Sequence, residues 1–97
     1  MIYHVTKKDD WDKALQQGFY QAESLATEGF IHTSTLPQVA DVLERYYKNQ
    51  AGLILLHIDE SKLTVPLKYE LAPSVNEMFP HIFGPVNVDA VIKTESI

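Results

Sequence analysis

The sequence predicts a small α+β domain, with two helices on a mixed, mostly antiparallel sheet. Three observations carry that expectation. Apolar runs of strand length recur at Ile2–Val5, Phe30–Thr33 and Leu53–Ile58, each too short for a buried helix. Two intervening stretches space their apolar residues at helical intervals, one through Trp11, Ala14 and Leu15, the other through Val39, Val42, Leu43 and Tyr46. The elements alternate irregularly, without repeat or linker, as an α+β chain does. Ninety-seven residues hold one core, so residues 1–97 are expected to form a single domain.

Each element has a local reason. Ile2–Val5 is a strand, and Thr6–Gln17 follows as a helix: Asp9 and Asp10 suit the positive end of its dipole, and Gly18 suits its stop. Phe19-Tyr20 reads as a brief strand. Gln21–Gly29 is small and polar, a loop or a single helical turn, with Gly29 permitting the turn into Phe30–Thr33. Ser34 or Thr35 then caps a helix that carries Pro37 in its first turn and runs to about Tyr47. The predicted helices pack through Trp11 and Leu15, and through Val39, Leu43 and Tyr46. Leu53–Ile58 is apolar on both faces and hence central. Val65–Leu71 is a strand begun near Pro66, Ala72–Glu77 a loop, Phe79–Pro85 an aromatic loop, and Ala90–Thr94 a last strand.

Composition removes whole classes of function. There is no cysteine, hence no disulfide, thiol nucleophile or zinc finger. The net charge is −5, the only arginine is Arg45, and the Lys7-Lys8 pair is followed at once by Asp9-Asp10. A chain of this balance lacks the cationic surface that neutralises phosphates, so strong nucleic-acid binding is not expected. No apolar run reaches the roughly 20 residues of a membrane span, and Met1-Ile-Tyr-His does not open like a signal peptide. The expected setting is cytoplasmic, and the expected partner is a small-molecule ligand held by local hydrogen bonds.

Two strings share one shape: His4-Val-Thr6 and His32-Thr-Ser34. Residues i and i+2 of a strand face the same side, so each string presents an imidazole and a hydroxyl together. If the strands are neighbours, all four groups meet in one cleft. The competing reading makes the histidines structural and leaves Thr6 and Ser34 as helix caps. His81 lies between Phe79 and Phe83, an aromatic face that can stack a flat ring or cover a small core. Glu70 near a strand end is a solvated carboxylate unless it shares the cleft, where it becomes a candidate for acid–base or oxocarbenium chemistry. His57 reads as a half-buried strand residue.

With Ile2-Tyr-His-Val-Thr6, Glu28-Gly-Phe-Ile-His-Thr-Ser34, Tyr69-Glu70 and Phe79-Pro-His-Ile-Phe-Gly-Pro85 in view, the chain closely resembles the small bacterial proteins of domain of unknown function family 952, along essentially its whole length. Tyr3-His-Val-Thr6 and Ile31-His-Thr-Ser34 are also similar to the Y-H-G-T and V-H-L-S strings of the RNA 2′-phosphotransferase branch of the ADP-ribosyltransferase superfamily. That resemblance implies an ADP-ribosyltransferase-like fold and NAD or a related nucleotide as candidate cofactor. It also implies His4 and Thr6 on ribose or phosphate, His32 and Ser34 lining the pocket, and Glu70 as catalytic carboxylate. Val5 stands where the superfamily has glycine. The site expected is thus Glu70, His4 and His32 as catalytic residues, with Thr6, Ser34, His81 and Phe83 binding the ligand and no metal.

Three other readings stay open. A two-histidine phosphodiesterase also uses paired H-x-[ST] strings, one imidazole as base and the other as acid, although His4 and His32 stand only 28 positions apart. A metal site could draw on His4, His32, His81 and Glu70, but none of these are spaced as a local chelate. The third is a non-catalytic ligand-binding or protein-interaction module.

Overall fold

Residues 1–97 are all described by a computed structural model. Its elements are β1 (Ile2–Lys7), α1 (Lys8–Gln17), β2 (Phe19–Tyr20), α2 (Glu23–Glu28), β3 (Ile31–His32), α3 (Val39–Tyr46), β4 (Leu53–Ile58), β5 (Leu67–Ala72), β6 (Glu77–Ile82), β7 (Val86–Asn87) and β8 (Val91–Ser96). Short 3₁₀ turns occupy Leu36–Gln38, Glu60–Lys62 and Val88–Ala90. No helix is long and apolar enough to cross a membrane.

The strands form three sheets, ordered β1-β4-β8, β2-β7 and β3-β6-β5. Every ladder is antiparallel, so the expected mixed sheet is corrected. β4 is central, as its two apolar faces predict, and each face has its own core. Ile54, Leu56 and Ile58 join Ile2, Trp11, Ala14 and Tyr20 on the α1 side. Leu53 and Leu55 join Tyr3 and Val5 on the other, under Val39, Leu43 and Tyr47.

Several boundaries differ from those the sequence predicts, for identifiable reasons. β1 runs on through Thr6 and Lys7, which pair with Ile54 and Leu53, so Thr6 belongs to the strand and does not cap α1. Gly18, at φ 90°, closes α1 in the left-handed conformation that glycine adopts without steric cost. Gln21–Gly29 contains a true helix, α2, beyond the expected loop or turn. Gln38 Oε1 accepts the Thr35 N–H at 2.9 Å, starting the turn that leads into α3. The packing stripes are narrower than expected: Trp11 and Ala14 are buried, but Leu15 is 55% and Tyr46 59% exposed.

β3 is the largest departure. It pairs for only two residues, and with β6 rather than with β1 or β4. Thr33 N–H donates to the Pro80 carbonyl at 3.2 Å, but Pro80 has no N–H to return, and the ladder stops there. The chain then turns to β1, where Tyr3 and Ser34 exchange two backbone hydrogen bonds of 2.8 Å. The aromatic stretch expected as a loop is, through Ile82, the central strand of its sheet.

Gly84 follows that strand for lack of room. Phe83 N–H donates to the Pro66 carbonyl at 2.8 Å, drawing the two segments together. A Cβ at Gly84 would stand 2.5 Å from Val65 Cγ1 and 2.9 Å from Val65 Cβ. A valine side chain stiff at χ1 does not yield to that. Gly84→Ala should therefore cost about 1–3 kcal/mol, read as a lowered midpoint in urea, and an unchanged midpoint would show that this contact relaxes freely.

Candidate functional site

Ile2, His4 and Thr6 alternate onto the face of β1 that packs under α1, where neighbouring positions are aliphatic. His4 and Thr6 are 8% and 5% exposed, so each needs a partner. His4 Nδ1 lies 2.6 Å from the His32 carbonyl, and because a carbonyl only accepts, Nδ1 is the donor. His4 Nε2 lies 2.8 Å from the Tyr20 hydroxyl, which is 3.0 Å from Thr6 Oγ1. Burial pushes the His4 imidazole down to about 4 and the Tyr20 phenol up to about 12. Both are therefore neutral at pH 7.

The second string is arranged differently. His32 and His81 are cross-strand partners, with rings T-shaped at 5.4 Å. Phe30 stacks on His81 at 4.1 Å and 18°. His81 Nδ1 donates to Glu70 Oε1 at 2.8 Å, and its Nε2 has no protein partner. The β5–β6 register, Lys68 opposite His81 and Glu70 opposite Phe79, places Glu70 diagonally beside that ring. His32 is largely exposed, and its Nε2 pairs with Glu28 at 3.0 Å. Ser34 is 7% exposed; its backbone bonds to Tyr3, and its hydroxyl has no protein partner.

These parts meet in a cleft of about 910 Å³, lined among others by His4, Thr6, Tyr20, His32, Ser34 and His81. Glu70 and Phe83 do not line it. Glu70 stands behind His81, and Phe83 packs against Phe30 at 5.5 Å between centroids. Both ring nitrogens of His4 are spent inside the protein, which leaves it neither a free acid nor a free sugar anchor. His57 lies away from the cleft, edge-on to Tyr3 and bonded to Glu95. No three His, Asp or Glu side chains gather as a metal ligand set.

Sequence reasoning missed Tyr20, the link between His4 and Thr6. Its signal was available in one form only: a tyrosine in a short apolar strand buries its ring and needs a partner for its hydroxyl, and the His4-Val-Thr6 string has partners to give.

Two solved structures of Protein CC0527 from Caulobacter crescentus are similar to this chain along nearly all of its length. The crystal structure has a TM-score of 0.89, with 29% identity over 98% of this chain and 83% of that one. The solution NMR structure has a TM-score of 0.85, with 29% identity over 99% of this chain and 83% of that one. No curated protein matches the chain. The model of a family described as "Protein of unknown function (DUF952)" matches residues 5–94, and the chain belongs to that family.

Proposed function

We propose that the cleft binds a ribose- or phosphate-containing small molecule, NAD or a related nucleotide, and that its ancestry is ADP-ribosyltransferase-like. One observation carries the reading. Four polar residues, His4, Thr6, Ser34 and His81, are each more than nine-tenths buried and yet line a single cleft. Two of them, Ser34 through its hydroxyl and His81 through Nε2, keep an atom unbonded by protein. No fully buried side-chain polar atom of the protein lacks a partner, so these two atoms are the accessible tips of otherwise buried side chains, free to bond a ligand in the cleft.

The roles follow from the bonding. His81 presents Nε2 to the ligand, and Glu70 is the positioning residue that fixes its ring by accepting from Nδ1. His4 holds the His32 carbonyl and Tyr20 in place. His32 stands as an exposed lining residue, and Phe83 supports Phe30 from behind. Hydrolysis of the glycosidic bond at ribose, in which nicotinamide leaves with the bonding pair and water takes its place on the sugar carbon, would draw on the Glu70–His81 pair to stabilise the developing positive charge.

The test is an NMR titration of the ¹⁵N-labelled protein with NAD, ADP-ribose and inorganic phosphate. Amide shifts are expected at Thr6, Ser34 and His81 with at least one of these. His4→Ala should abolish them, and Glu70→Gln should keep binding while losing release of nicotinamide from NAD. Absence of shifts with all three ligands overturns the reading. It would favour a protein-interaction module, for which the exposed Leu71 and Met78, paired across β5 and β6, offer one apolar contact.

A further inference from the structure

We propose that Tyr20 sets the polarity of the cleft: it fixes Thr6 Oγ1 as a hydrogen-bond acceptor, so the bound molecule presents a donor there, a sugar hydroxyl or an amide N–H, and not a phosphate oxygen. The inference rests on the ribose-or-phosphate reading above and chooses between its two chemistries.

Counting protons gives the direction of the chain. His4 Nδ1 faces a carbonyl at 2.6 Å. A bare nitrogen there would set lone pair against lone pair, so Nδ1 carries the proton. In a neutral ring Nε2 is then bare and must accept. The group in reach is the Tyr20 hydroxyl at 2.8 Å. A phenol has one proton. Thr6 Oγ1 lies 3.0 Å from the same hydroxyl, and because the one phenol proton is already given to His4, the proton count makes Thr6 the donor of that contact. The Thr6 proton is thereby committed inward, and what Oγ1 retains for the cleft is lone pairs. The chain runs Thr6 to Tyr20 to His4 to the His32 carbonyl, and that carbonyl fixes its direction.

The charge of the cleft agrees. Its lining includes Lys7 as the only cation, against Asp10 and Glu23, and Arg45 is not part of it. A phosphate would meet two carboxylates and an oxygen acceptor. A hydroxyl or amide group donates to Thr6 and bears no charge to be repelled.

The experiment uses two probes, adenosine and inorganic phosphate, on the unmodified protein, Thr6→Val and Tyr20→Phe, with dispersed amide spectra as the check on folding. Adenosine should bind the unmodified protein at least tenfold more tightly than phosphate. Thr6→Val should weaken adenosine about tenfold, corresponding to about 1.4 kcal/mol for one lost hydrogen bond. Tyr20→Phe frees the Thr6 proton to turn outward and should narrow the preference for adenosine over phosphate severalfold. Phosphate binding as tightly as adenosine, or a preference indifferent to Tyr20→Phe, overturns this inference and leaves the broader reading standing. Failure of both probes, together with NAD and ADP-ribose, overturns the broader reading and this one with it. The ring ¹⁵N shifts of His4 test the same chain independently, without ligand: a proton on Nε2 instead of Nδ1 reverses its direction and overturns the inference.

Discussion

Replacing Leu56 with alanine should lower the unfolding free energy by about 3–4 kcal/mol. Leu56 is completely buried on the central strand, opposite His4 on β1 and Thr94 on β8, in the core beneath α1. Ladders on both sides hold its backbone, so the strand cannot sink into the void and the cavity penalty is felt in full. For a domain whose whole stability is about 5–15 kcal/mol, that is a large share. A urea titration checks it, with Leu15→Ala as control. Leu15 is 55% exposed and should change stability by no more than about 0.5 kcal/mol. Equal losses at the two positions would mean that the core is misplaced.

The second large effect is a dependence on pH that comes from His4. Burial lowers its imidazole from the ordinary 6.5 to about 4. Above 6.5 the ring is neutral in both folded and unfolded chains, and it adds no pH dependence. Between 6.5 and about 4 the unfolded chain binds a proton that the folded chain refuses, so stability falls as pH falls. Below about 4 both forms are protonated and the loss is complete, at about 3 kcal/mol. Carboxylates titrate in the same window, so the measurement is a difference: urea midpoints at pH 7.5 and 4.5 for the unmodified protein and for His4→Asn. The variant should lose about 2–3 kcal/mol less over that interval. Identical losses would show that His4 titrates normally in the folded state.

The strands that could be read from the sequence were those whose burial is written in local pattern. β4 is apolar on both faces and β1 is nearly so, and both fall within a residue or two of their expected limits. What stayed hidden depends on partners distant in the chain. Pro80 ends the ladder of β3, and nothing around residue 31 announces a proline at that register. Helical spacing admits both Ala14 and Leu15 beside Trp11, and only the sheet beneath α1 selects Ala14. The His4-Val-Thr6 and His32-Thr-Ser34 strings were visible, and both reach the cleft. Their bonding was not visible. Tyr20 enters from a different strand, and Glu70 meets His81 through the β5–β6 register, which no spacing along the chain encodes.

The position of β4 between β1 and β8 also bears on the order of assembly. Its neighbours are the first and the last strands of the chain, so Ile2 must find Ile58, and Ile54 must find Ser96. Each pairing closes a long loop, and that entropy is lost before any of the core repays it. Folding of such a topology is limited by these distant encounters, on the slower, millisecond-to-second scale of non-local β pairing rather than the microseconds of helical bundles. On a ribosome, the sheet under α1 cannot be completed until residues near 96 have emerged. Until then the two apolar faces of β4 lack the edge that β8 supplies, and the nascent chain is most exposed to mispairing along that strand.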